Sequence, residues 1–124
     1  MMTFKVLSAL LSYPEAETIA AADDMHTVLR REAVLDPGAL QAVSALIDAL
    51  AHGDLIELQE EYVSLFDRGR NLSLHIFEHV HGESRDRGQA MVDLMEAYKA
   101  HGLWVDAHEL PDYIPLFLEF LSQV

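Results

Sequence analysis

Asp54 to Phe66 reads DLIELQEEYVSLF, and the spacing of its apolar residues decides the fold class. Leu55, Leu58, Tyr62, Leu65 and Phe66 fall at i, i+3, i+7, i+10 and i+11, a single stripe along one side of an α-helix. Glu57, Gln59, Glu60 and Glu61 occupy most of the remaining surface, and Asp54 stands where an N-cap belongs. A half-buried strand would alternate with a period of two, and no segment of the chain alternates for long enough.

Working outward, the same period recurs. A first helix carries Phe4, Leu7, Leu10 and Leu11 on its inner face and stops before Pro14, which holds Tyr13 extended. A second spans about Glu15 to Val34, with Ile19, Met25, Val28 and Leu29 as core candidates. Asp36-Pro37 pairs an N-cap with a proline in the first turn, opening a third helix lined by Leu40, Val43, Ile47 and Leu50. Gly53 is placed to end it as a left-handed cap. Beyond Gly69, the segment Arg70 to Glu83 is expected to hold one short helix near Leu74 to His79. Ser84 caps a long helix to about His101, with Ala90, Met91, Leu94, Met95 and Tyr98 inward and Gly102 closing it. A last helix starts at Pro111 or Asp112 and carries Tyr113, Leu116, Phe117, Phe120 and Leu121. The expected architecture is an all-α helical bundle of about five to seven helices, forming one domain over residues 1–124.

The 124 residues include no cysteine, which excludes disulfides and thiolate metal sites. Eight Lys and Arg face twenty-one Asp and Glu, a net charge of −13. That sign opposes nucleic-acid binding, which needs positive charge to displace counterions from phosphates. It favours either basic peptide partners or simple solubility. Lys5, the apolar run Val6 to Leu11 and the alanines at 20 to 22 loosely match a secretory signal, but Pro14, Glu15 and Glu17 interrupt it. No run reaches the length of a membrane span, so direct membrane insertion is not expected and a cytoplasmic location is. FLEFLSQV ends while its helical pattern is still running, which suggests a shortened chain or a last helix covered by a partner.

Three candidate sites stand out. His75-Ile-Phe-Glu78-His79 has the H-x-x-E-H order of a zinc hydrolase, with Glu78 as base. A third ligand is needed, and His81 is too near to supply it unless the helix breaks. Glu96, His101, His108 and Glu109 are more distant candidates, and nothing in the spacing selects one. Second, Arg68, Arg70, Arg85 and Arg87 make residues 68–87 a cationic island of net +1, against −14 for the rest. The island suits an anionic ligand or acidic partner, unless Asp67, Glu83 and Asp86 pair with these arginines to shape a loop. Third, ELPDYIP from Glu109 to Pro115 puts Asp112 at a helix entrance, where the dipole favours an acid. The serines lie in no nucleophile elbow and no glycine-rich phosphate loop occurs.

YVSLFDRGRNLSLHIFEHVHGESRDRGQAMVDLM, followed by ELPDYIPLFLEFL, resembles the nitrate reductase molybdenum cofactor assembly chaperones of the wider TorD-like family. The likeness runs from about Phe4 to the end and is most specific in FEHVHGESRDRGQAM. Glu109, Pro111 and Asp112 match the E-x-P-D signature, and Tyr62, Leu65 and Phe66 match Y-x-x-L-F. His75 lies outside the specific run, which weakens the zinc reading. The resemblance implies a TorD-like chaperone without catalytic residues or a stably bound cofactor. Its partner would be the N-terminal segment of the nitrate reductase α subunit, held while molybdenum cofactor is inserted and the β subunit joins. The implied client-binding residues are Tyr62, Phe66, Phe77, His79, His81, Arg85, Arg87, Leu94, Tyr98, Glu109, Asp112 and Tyr113. Arg85 and Arg87 would meet an acidic or cofactor-bearing surface, and Glu109 and Asp112 basic groups of the client. Relatives in this family are usually longer, so missing C-terminal helices and self-association through the uncovered face are also expected.

Overall fold

The computed structural model describes residues 1–66, 72–80, 86–106 and 109–124, and its regular elements are all helices. They are α1 (Met2–Leu10), α2 (Ala16–Ala20), α3 (Ala22–Glu32), α4 (Pro37–His52), α5 (Leu55–Phe66), α6 (Ile76–Val80), α7 (Asp86–Ala100) and α8 (Ile114–Gln123). The eighth arises because the expected Glu15–Val34 helix divides at Ala21. Asp23 and Asp24 then occupy the first turn of α3 and Arg30 and Arg31 its last, each sign at the end the helix dipole favours.

Local signals acted as expected at several ends. Pro37 opens α4, and the Asp36 carboxylate accepts from the Ala39 amide at 2.8 Å. Gly102 takes a left-handed φ of 79° after α7. Gly53 does not: it is extended, with φ −87° and ψ 165°. Its missing side chain answers to space instead, since a Cβ there would stand 2.9 Å from Leu58 Cδ1 and 3.0 Å from the Ala49 carbonyl. Ala33 adopts the left-handed cap, after α3.

Packing centres on α1, which lies between α3 and α8. Val6, Met25, Leu29 and Ile47 form the buried core, flanked by Leu10, Val28, Leu40 and Val43. On the side facing α8, Ser8 donates to the Pro115 carbonyl at 2.6 Å and Lys5 meets Glu119 at 2.7 Å. Being covered on two sides explains why Thr3, Val6 and Ser8 are the buried residues of α1, while Phe4, Leu7, Leu10 and Leu11 are half-buried. A second apolar nucleus joins α7 to α8, where Tyr98 meets Phe120 edge-on at 4.9 Å.

Glu32, at the end of α3, caps α1 from a distance. Its carboxylate accepts from the Met2 amide at 2.9 Å, and from the Thr3 amide and hydroxyl at 2.6 Å each. These donors, the Thr3 hydroxyl first, hold its pKa below the ordinary 4.5. A depressed carboxylate stabilises the fold above its unfolded pKa and loses that contribution as pH falls through the folded value. Glu32→Gln is therefore expected to lower the melting temperature at pH 7, with the gap to the native protein closing as pH drops below about 4.5. A gap that stays constant from pH 7 to 3 would show that the charge is not what α1 uses.

Candidate functional site

None of the residues of α5 is fully buried. Its apolar stripe forms one wall of a groove closed by the ends of α1 and α4. Leu10, Leu46, Leu50, Leu58, Tyr62 and Phe66 line a cavity of about 350 Å³, with Glu61 its charged lining residue. Two side chains fasten this wall to the α1–α2 turn: Tyr62 donates to the Leu11 carbonyl at 2.8 Å, and Gln59 to the Pro14 carbonyl at 2.7 Å. Tyr62 also stacks against Phe66 at 4.7 Å and meets Tyr13 edge-on at 5.7 Å. Burial, then the adjacent Tyr113 hydroxyl, then the Glu109 charge push the Tyr62 pKa far up, so its hydroxyl stays a donor.

The Tyr62 end of the groove runs into a second cluster. Tyr113 precedes α8, and its ring stacks on His75 at 5.6 Å. Residues 74–77 lie antiparallel to 112–114: Ile114 donates to the Leu74 carbonyl at 2.7 Å and Ile76 to the Asp112 carbonyl at 3.0 Å. The Asp112 carboxylate accepts from the Phe77 amide at 3.0 Å through Oδ2. The acid expected to serve α8 thus caps the first turn of α6 instead.

The expected client-binding residues therefore separate. Tyr62 and Phe66 line the groove; Tyr113 and Glu109 lie close enough to act on Tyr62 without lining it, and Phe77 is tied to the Tyr113 segment through Asp112. Leu94 is half-buried on α7 and lines no part of the groove. Tyr98 and Asp112 are each 0% exposed, which revises the expectation of direct client contact. Packing on Phe120 and against α6 leaves neither a free face. His79 is exposed, with Nε2 2.9 Å from the Ser73 carbonyl. Arg87 approaches Glu78 at 3.9 Å, an acid other than the Asp67, Glu83 and Asp86 expected to pair with these arginines. His81, Arg85, Arg68 and Arg70 lie outside the described residues.

The same geometry removes the zinc hydrolase reading. His75 precedes α6 and stacks on Tyr113, His79 turns back to Ser73, and Glu78 faces Arg87. The three side chains engage three different partners, so the shared helical face that two imidazole ligands require does not form.

Sequence reasoning missed the contributions of Leu10, Leu11, Leu46 and Leu50 to the groove. A signal existed in α4, where Leu46 and Leu50 widen the apolar arc beyond what Val43 and Ile47 need to face one neighbour. Leu46 is 45% exposed on the groove side.

The all-α fold is shared with a solved Archaeoglobus fulgidus protein assigned as a redox-enzyme maturation protein. That protein superposes with a TM-score of 0.65 at 25% identity, over 96% of this chain and 67% of its own. More particularly, residues 32–124 match the family model described as nitrate reductase delta subunit, and the chain belongs to that family. It is 44% identical over all 124 residues to the Escherichia coli nitrate reductase molybdenum cofactor assembly chaperone NarJ. It is 33% identical over 98% of its length to a Bacillus subtilis protein assigned the same role, of which it covers 65%. The chain spans about half, 52%, of the Escherichia coli relative.

Proposed function

We propose that this chain is a cytoplasmic, non-enzymatic assembly chaperone for a respiratory nitrate reductase. It receives the N-terminal segment of the α subunit in the α1–α4–α5 groove and keeps the subunit open for molybdenum cofactor insertion. The observation that carries this reading is the open apolar groove around Tyr62 and Phe66 on a chain of net charge −13. An amphipathic helix with a basic outer side matches both properties: its apolar residues fill the groove and its cations face the surrounding carboxylates. Likeness to NarJ supports the choice of client. No stable cofactor is needed, since the chaperone holds a protein segment and leaves the cofactor to the client.

Isothermal calorimetry with a synthetic peptide of the α subunit's N-terminal segment tests this. Binding is expected, and Phe66→Ala is expected to weaken it about tenfold, the scale of a buried aromatic anchor. Raising salt should weaken binding further through screening. No heat of binding to the native chain, or an unchanged Kd in Phe66→Ala, would remove the groove from the reading.

A further inference from the structure

The Asp112 carboxylate is fully buried, and its Oδ2 accepts from the Phe77 amide at 3.0 Å. Among the described residues Oδ1 accepts none. The nearby Tyr98 hydroxyl is committed to the Pro111 carbonyl at 2.6 Å. A buried carboxylate oxygen without a donor is costly, and native structures seldom keep one without a use.

What the carboxylate holds suggests the use. The α6 helix has only five residues, none fully buried. Beside the Glu78–Arg87 ion pair, it is anchored by the pairing of 74–77 with 112–114, in which Asp112 supplies both a backbone acceptor for Ile76 and a side-chain acceptor for Phe77. The neighbouring Tyr113 ring rests on His75 and lies beside Tyr62 at the mouth of the groove. We propose that Asp112 is a positioning residue for the groove: by pinning the first turn of α6, it holds His75 and Tyr113 against Tyr62. This rests on the reading of the groove as the client site.

Hydrogen exchange and peptide binding, on the full chain, test the idea together. In Asp112→Ala, the Ile76 and Phe77 amides should exchange about tenfold faster or more, the scale of losing a bond to a charged acceptor. Amides of α3 and α4 should be unchanged, and the α subunit peptide should bind several-fold more weakly. Asp112→Asn keeps an oxygen for the Phe77 amide without burying a charge, and should restore both protection and affinity to within about twofold. Faster exchange spread evenly over α3 and α4 would make Asp112 an ordinary core residue and overturn the proposal. So would unchanged exchange in the alanine variant, failure of asparagine to rescue, or loosened α6 with undiminished affinity. If the native chain binds no peptide, the client reading and the groove role fail together, while the exchange data still decide whether Asp112 pins α6.

Discussion

Tyr98→Ala is expected to lower the unfolding free energy by about 3–5 kcal/mol, the cost of truncating a fully buried aromatic. Among the described residues Tyr98 has the largest fully buried side chain; it packs edge-on against Phe120, and its hydroxyl donates to the Pro111 carbonyl. Removing it opens a cavity between α7 and α8 and strands a carbonyl at the turn that carries Asp112. Since domains are stable by only about 5–15 kcal/mol, such a loss approaches the whole margin. Tyr98→Phe separates the two contributions. It keeps the ring and should cost about 1–3 kcal/mol for the unpaired carbonyl alone. Urea denaturation followed by far-ultraviolet dichroism reads both; a loss below about 1 kcal/mol in the alanine variant, the range of surface changes, would show that α7 is not held by this contact.

Leu58→Arg should abolish client binding, weakening it by about a hundredfold or more, because a charged side chain is set into apolar space that the client needs. Leu58 stands in the groove wall, half-buried and packed beside Gly53. An arginine there occupies volume that a client side chain needs and sets a positive charge against a basic segment. Leu58 is not part of the buried core, so the helical content should survive and the melting temperature should fall modestly. Retained peptide affinity in this variant would place the client elsewhere on the molecule.

Much of the fold was legible because helical period and end signals are local. The stripe of α5, the Asp36-Pro37 start of α4 and the left-handed Gly102 each depend on residues a few positions apart. That Tyr62 and Phe66 share one face of α5 was legible for the same reason. Which apolar stripes become core was not. The α5 stripe is regular, yet no residue of it is fully buried, whereas Thr3 and Ser8 of α1 are. A stripe states that one face avoids water; whether a neighbouring helix covers that face depends on how many helices crowd around it.

Charge showed the same division. Asp112 and Glu32 are ordinary acids at helix ends when read along the chain. In space, Asp112 reaches Phe77 across 35 residues and Glu32 reaches Thr3 across 29. The sequence by itself determined an all-helical chain of acidic character in the nitrate reductase delta subunit family, because period, composition and motif survive without contacts. Only the tertiary structure decided that α5 borders a groove, that the histidines of HIFEH serve separate partners, and that Asp112 is buried. Each of those depends on which distant backbone and side-chain groups meet, and meeting is set by how the helices pack together rather than by any local preference.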